Sequence, residues 1–156
     1  MAHRILVIDD EPDVRQCLVE LLALVPGCNT ESASNFAEGC VKALGAPWEI
    51  ILCDERLPDG RGTDILTRVA AKSPNTRLVL MSAHQDFRMA IQAINSAHVD
   101  EFLEKPWEPE VLLERLQRML QESSSWNAQN QRLRSFRRIG PTGGAAGLWD
   151  QRSSTR

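Results

Sequence analysis

Three short apolar runs in this chain, and a further strand-like segment at Val99–Leu103, each lead to a side chain with chemistry to offer. Arg4–Asp9 (RILVID) ends in acid and is followed by Asp10. Ile50–Cys53 (IILC) stops on Asp54, Leu78–Met81 (LVLM) on Ser82, and Val99–Leu103 on Glu104-Lys105. Unbroken apolar runs of this length suit strands buried on both faces. Between them the period changes to that of helices. Asp10-Glu11-Pro12 opens the first, with Pro in the first turn, and Asp9-Asp10 is read also as its N-cap. Val14, Leu18, Leu21, Leu22 and Val25 share one face of it, and Pro26-Gly27 stops it. Phe36–Leu44 reads as a short helix closed by Gly45 and Pro47. Thr63–Lys72 turns Ile65, Leu66 and Val69 inward, and Asp86–Ala97 does the same with Phe87, Ala90, Ile91 and Ile94. Glu110–Leu120 carries Leu112, Leu113, Leu116 and Met119. Cys28–Ala33 is a more polar strand, suited to a sheet edge. Five strands alternating with five helices predict an α/β fold, a doubly wound parallel sheet with helices on both faces.

The length of 156 residues fits one domain with an appendage. The net charge of −3 conceals a division. Residues 1–122 hold 12 Lys/Arg against 20 Asp/Glu, a balance of −8, whereas residues 123–156 hold six Arg and only Asp150, a balance of +5. A boundary near residue 122 follows. The four cysteines (Cys17, Cys28, Cys40, Cys53) form no C-x-x-C pair and no His cluster, as expected of reduced thiols. No apolar run approaches the length of a bilayer span, and Met1-Ala2-His3-Arg4 leads straight into a strand without a signal peptide. The expected compartment is the cytoplasm, with no membrane partner.

In a parallel sheet all carboxyl ends lie on one edge, where open α/β folds bind ligands. Asp9, Asp10, Asp54, Ser82 and Lys105 should therefore converge. Asp54 sits where a strand gives way to the turn Leu57-Pro58-Asp59-Gly60. Three carboxylates together are unfavourable without a cation, since two unit charges 4 Å apart repel by roughly 4 kcal/mol at an effective dielectric of 20. Mg²⁺, which takes one or two carboxylates plus phosphate and water, relieves that repulsion. Lys105 offers a point charge to a phosphoryl oxygen and Ser82 a hydroxyl donor to another. Asp54 is then a nucleophile toward phosphorus, giving an aspartyl phosphate.

These residues and their flanks resemble the receiver domain of two-component response regulators. The matching pieces are ILVIDDEPD, the pattern D-x-x-x-P-x-x-x-G at Asp54, Pro58 and Gly62, Ser82-Ala83, and Phe102 with Lys105-Pro106. The resemblance covers residues 3–122. It implies the flavodoxin-like strand order 2-1-3-4-5 and a phosphoryl group taken on Asp54 from a histidine kinase or phosphotransfer protein. Mg²⁺ would be held by Asp10, Asp54 and the carbonyl of Arg56, with Asp9 acting through water. Lys105 and Ser82 would read the phosphoryl group. Phe102 would turn inward with Ser82 as a switch, and Arg56 and His84 occupy the positions that tune dephosphorylation. The Lys105-Pro106 bond would be cis. Such a protein phosphorylates and dephosphorylates itself with Mg²⁺ rather than turning over a substrate. A haloacid-dehalogenase-type phosphatase needs D-x-D, and Asp54-Glu55-Arg56 lacks the second Asp. A receiver-like module that binds proteins without phosphorylation is the alternative from another class.

From Ser123 the resemblance stops. Leu112, Leu116, Met119, Ser123, Trp126, Asn130 and Leu133 alternate by four and three, a broken heptad seam. Residues 123–139 read either as a signalling-helix extension or as a frayed end after the fifth helix. Residues 140–156 read as a flexible basic tail. The seam, with the fourth and fifth helices, is the expected surface of a homodimer. Arg132, Arg134, Arg137 and Arg138 lack a recognition-helix pattern, so DNA is not expected as a partner of this chain alone. The chain is read either as a stand-alone receiver or as the N-terminal fragment of a transcriptional or second-messenger regulator.

Overall fold

The computed structural model describes residues 2–83, 88 and 99–122. Apart from Arg88, the helix expected over Asp86–Ala97 lies outside the described residues. So do His84, the seam beyond Glu122 and the basic tail.

In chain order the elements are β1 (His3–Ile8), α1 (Pro12–Ala23), β2 (Cys28–Ala33), α2 (Phe36–Gly45), β3 (Ile50–Asp54), β4 (Arg56–Leu57), β5 (Gly60–Arg61), α3 (Gly62–Lys72), β6 (Arg77–Ala83), β7 (Glu101–Lys105) and a last helix, Pro109–Gln121. The main sheet runs β2-β1-β3-β6-β7 with every pairing parallel. Counted by its five strands alone, this is the expected order 2-1-3-4-5. The polar strand β2 lies at one edge, as its composition foretold.

Alternation along the central strands divides the core in two. Leu6, Ile8, Ile51, Cys53, Leu78 and Leu80 meet Ile65, Leu66 and Val69 of α3 on one face. Ile5, Val7, Ile50, Leu52, Val79 and Met81 meet Leu18 and Leu22 of α1 and Leu112 and Leu116 of the last helix on the other. Fully burying one such side chain is worth roughly 1.5–3 kcal/mol. A one-residue slip of β3 would exchange its two apolar faces and move Asp54, so packing fixes where the acid stands.

The structure differs from the sequence reading in four places. The last strand runs Glu101–Lys105, two residues beyond the expected Val99–Leu103. Asp100 accounts for the shift. Its carboxylate accepts the Leu78 amide at 2.8 Å and its own amide donates to the Leu78 carbonyl at 2.8 Å. The ladder then begins with Glu101 opposite Val79 and carries Lys105 to a place opposite Ala83. Similarly, β6 runs past Met81, so Ser82 is paired with Glu104 inside the sheet rather than in a loop. The turn after Asp54 closes a small antiparallel hairpin, Arg56 opposite Arg61 and Leu57 opposite Gly60. Finally, the N-cap of α1 is Glu11, with no side-chain cap bond. Asp9 instead accepts the Glu11 amide at 2.9 Å, leaving Asp10 exposed.

A candidate acidic site at the sheet edge

β1 and β3 are neighbours, so their carboxyl ends place Asp9, Asp10 and Asp54 together. One carboxylate oxygen of each lies within 4.8 Å of the others. Asp9 is fully buried and Asp54 nearly so, at 7% exposure, while Asp10 faces solvent. Lys105, at the end of β7, reaches across the sheet edge. Its Nζ lies 2.7 Å from Asp9 Oδ2, 3.5 Å from Asp54 Oδ1 and 3.9 Å from Glu11 Oε1. Asp9 is held further by backbone contacts. Its amide donates to the Ala33 carbonyl at 3.1 Å, and Arg15 donates to its carbonyl at 2.7 Å.

One ammonium does not neutralise three carboxylates, and Asp54 shows the consequence. Burial, followed by the charge of Asp9, pushes its carboxyl up to about 7; Asp10 adds to the rise and Lys105 opposes it. Burial disfavours the charged Lys105, but its hydrogen bond to Asp9 and the charges of Asp54, Asp9 and Glu11 outweigh that and hold its pKa above the ordinary value. The donor set is all hard oxygen, partly buried and over-supplied with negative charge. It fits a Mg²⁺-sized cation with further ligands from water.

The other expected residues fall around this centre. Ser82 is buried on β6, one residue beyond Met81, which pairs with Asp54. Phe102 is partly buried on β7 opposite Leu80 and packs against the α3-side core. Arg56 is exposed at the start of the hairpin. The Lys105-Pro106 bond is cis. Gly62 has a steric role that its spacing alone did not explain. A Cβ there would stand 2.0 Å from the Asp54 carbonyl oxygen, so α3 begins flush against the Asp54 backbone only with glycine.

Two acids escaped the sequence reading. Glu11 belongs to the charge network of Lys105. Glu55, next to Asp54, is 4% exposed, and burial raises its pKa although the Thr63 hydroxyl donates to it at 3.1 Å. An acid at the mouth of a turn reads as a solvated loop residue, and nothing local in the sequence signals otherwise. Its burial comes from α3 folding back beneath it, with the Gly62 amide on its carbonyl at 2.9 Å and its own amide on the Met81 carbonyl at 3.0 Å.

Comparison with known proteins agrees with this geometry. The sequence model of the response regulator receiver domain matches residues 5–117. The response regulator protein PilR of Pseudomonas aeruginosa is 35% identical over 104 residues, 67% of this chain but 23% of that protein. The chain thus spans about a quarter of that relative. The chemotaxis protein CheY of Thermotoga maritima is 26% identical over 119 residues, covering 76% of this chain and 98% of CheY. A CheY-like receiver domain protein from Methanospirillum hungatei superposes with a TM-score of 0.73 at 26% identity, over 80% of this chain and 98% of that structure. No helix among the described residues is long and apolar enough to cross a membrane. With the fold, the acidic edge and the family match in agreement, this chain belongs to the response regulator receiver domain family.

Proposed function

We propose that Asp54 is the phosphoacceptor of a Mg²⁺-assisted phosphoryl transfer that relays a signal to a partner or effector domain. The observation that carries this is the buried Asp54 carboxylate, flanked by Asp9 and Asp10 and touched by Lys105. Asp10, Asp54 and the Arg56 carbonyl would hold the ion, with Asp9 behind them. When bound, Mg²⁺ supplies charge neutralisation for the carboxylates and the phosphoryl oxygens. An Asp54 oxygen forms the new bond to phosphorus while the bond from phosphorus to the donor breaks, and the donor departs with the electron pair. Lys105 meets the developing charge on a phosphoryl oxygen, and Ser82 offers a hydroxyl to another. Arg56 and His84 would tune the loss of the group by water, and Ser82 with Phe102 would convert its presence into a change at β7. The donor is a histidine kinase or phosphotransfer protein, and the setting is the cytoplasm.

With Mg²⁺ and acetyl phosphate, mass spectrometry of the intact chain should show one added phosphoryl group, labile to base. Asp54→Asn should lose it. Equal labelling of Asp54→Asn would overturn the assignment, and wild type left unlabelled by acetyl phosphate and phosphoramidate would favour a phosphorylation-independent binding module.

A further inference from the structure

The hairpin that follows the phosphoacceptor is tied to α2 by a carboxylate that the chemistry above does not use. Asp59 Oδ1 accepts the Phe36 amide at 2.6 Å, and Asp59 Oδ2 accepts the Ala37 amide at 3.0 Å. These are first-turn amides, which have no partner within their own helix. The helix also caps itself locally. Asn35 Oδ1 accepts the Glu38 amide at 2.8 Å, and Glu38 turns back to the Ser34 amide and hydroxyl, each at 3.1 Å. The two remaining donors are therefore assigned to a residue more than twenty positions away. The positive end of the helix favours that carboxylate, whose pKa is lowered first by the Phe36 amide.

The hairpin tip meets the same helix a second way. A Cβ on Gly60 would stand 2.5 Å from Phe36 Cδ2, so the tip lies flush on that ring, and the Arg68 guanidinium of α3 sits 5.6 Å from the ring centroid. At the other side Leu57 is buried in the α3-side core, and Gly62 abuts the Asp54 carbonyl. The loop between Asp54 and α3 is thus held at Leu57, at Asp59 and at Gly62, with Arg56 between the first anchor and the phosphoacceptor.

We propose that Asp59 is a positioning residue for the phosphoacceptor loop: by fastening the hairpin tip to the start of α2, it fixes the Arg56 carbonyl for the cation. This inference rests on the phosphoacceptor reading above. Mg²⁺ demands near-ideal octahedral geometry at about 2.0–2.1 Å and tolerates little play in a ligand. Partners that orient metal ligands from behind typically change affinity 10–100-fold when removed. Asp59 acts one step further out, through the hairpin backbone.

The test uses the full chain, titrated calorimetrically with MgCl₂, with urea unfolding of each variant alongside. Asp59→Ala should raise the Mg²⁺ dissociation constant about 3- to 10-fold, a discounted form of the effect just cited. Asp59→Asn, which keeps one acceptor oxygen, should fall between it and wild type. Asn35→Ala removes the other cap of the same helix but leaves the hairpin fastened. It should lower stability while leaving the dissociation constant within about twofold, below the effect expected of a ligand-orienting partner. An unchanged constant in Asp59→Ala overturns the inference, as does Mg²⁺ affinity that falls equally in Asn35→Ala, which would make Asp59 only a helix cap. If wild type bound no Mg²⁺, the phosphoacceptor reading itself would fail, and this inference with it.

Discussion

At Asp54 burial, two neighbouring carboxylates and one ammonium compete, and the balance pushes the carboxyl from its ordinary value near 4 up to about 7. At about 1.4 kcal/mol per unit, an ionised Asp54 then costs the cation-free fold roughly 4 kcal/mol. The sign follows from proton counts. Between the unfolded value near 4 and the folded value about 7, the folded state binds more protons, so stability falls as pH rises through that window and is level above it. Asp54→Asn cannot ionise and escapes the loss. In chelator, its stability relative to wild type should rise by about 2–3 kcal/mol between pH 5 and pH 8. Urea unfolding at the two pH values measures this, and a pH-independent difference would contradict the crowding described here.

Between elements, the end of the sheet opposite the acidic edge is joined by a charged cluster that leaves little freedom to the last helix. Arg77, 5% exposed at the start of β6, donates to Glu101 of β7 and, at 3.3 Å, to the Met119 carbonyl of the last helix. Arg115 of that helix lies 3.5 Å from the other Glu101 oxygen and donates to the Phe102 carbonyl at 3.1 Å. The helix is thus fastened to the strand that carries both Phe102 and Lys105. Truncating Glu101 removes one carboxylate from the buried guanidinium. Glu101→Ala should cost about 3 kcal/mol, whereas the double replacement Arg77→Met with Glu101→Leu should recover most of that loss. Urea midpoints of the single and double variants decide it. A double variant as weak as the single would show that packing, not the lost charge pairing, sets the cost.

For the whole molecule, ligand binding and folding are one equilibrium, because the acids gather only when β1 and β3 pair. Mg²⁺ at a hundred times its dissociation constant should add about 2.7 kcal/mol of stability, or roughly 5–10 °C in Tm. Calorimetric scans in MgCl₂ and in chelator check this, and Asp9→Asn with Asp54→Asn should abolish the difference. Much of this was legible beforehand. Unbroken apolar runs and helices of period 3.6 are local properties, so the succession of the five main strands, the doubly wound sheet and the convergence of Asp9, Asp54, Ser82 and Lys105 on one edge followed from the sequence alone. Chain order also dictated that the acids would be crowded, since parallel strands share a direction. Only the tertiary structure decided the rest. The register of β7 depends on the bonds between Asp100 and Leu78, the burial of Glu55 on α3 folding beneath it, and the tether of Asp59 on amides more than twenty residues away. Each is a contact between different elements, whose energy depends on a geometry that no local pattern encodes.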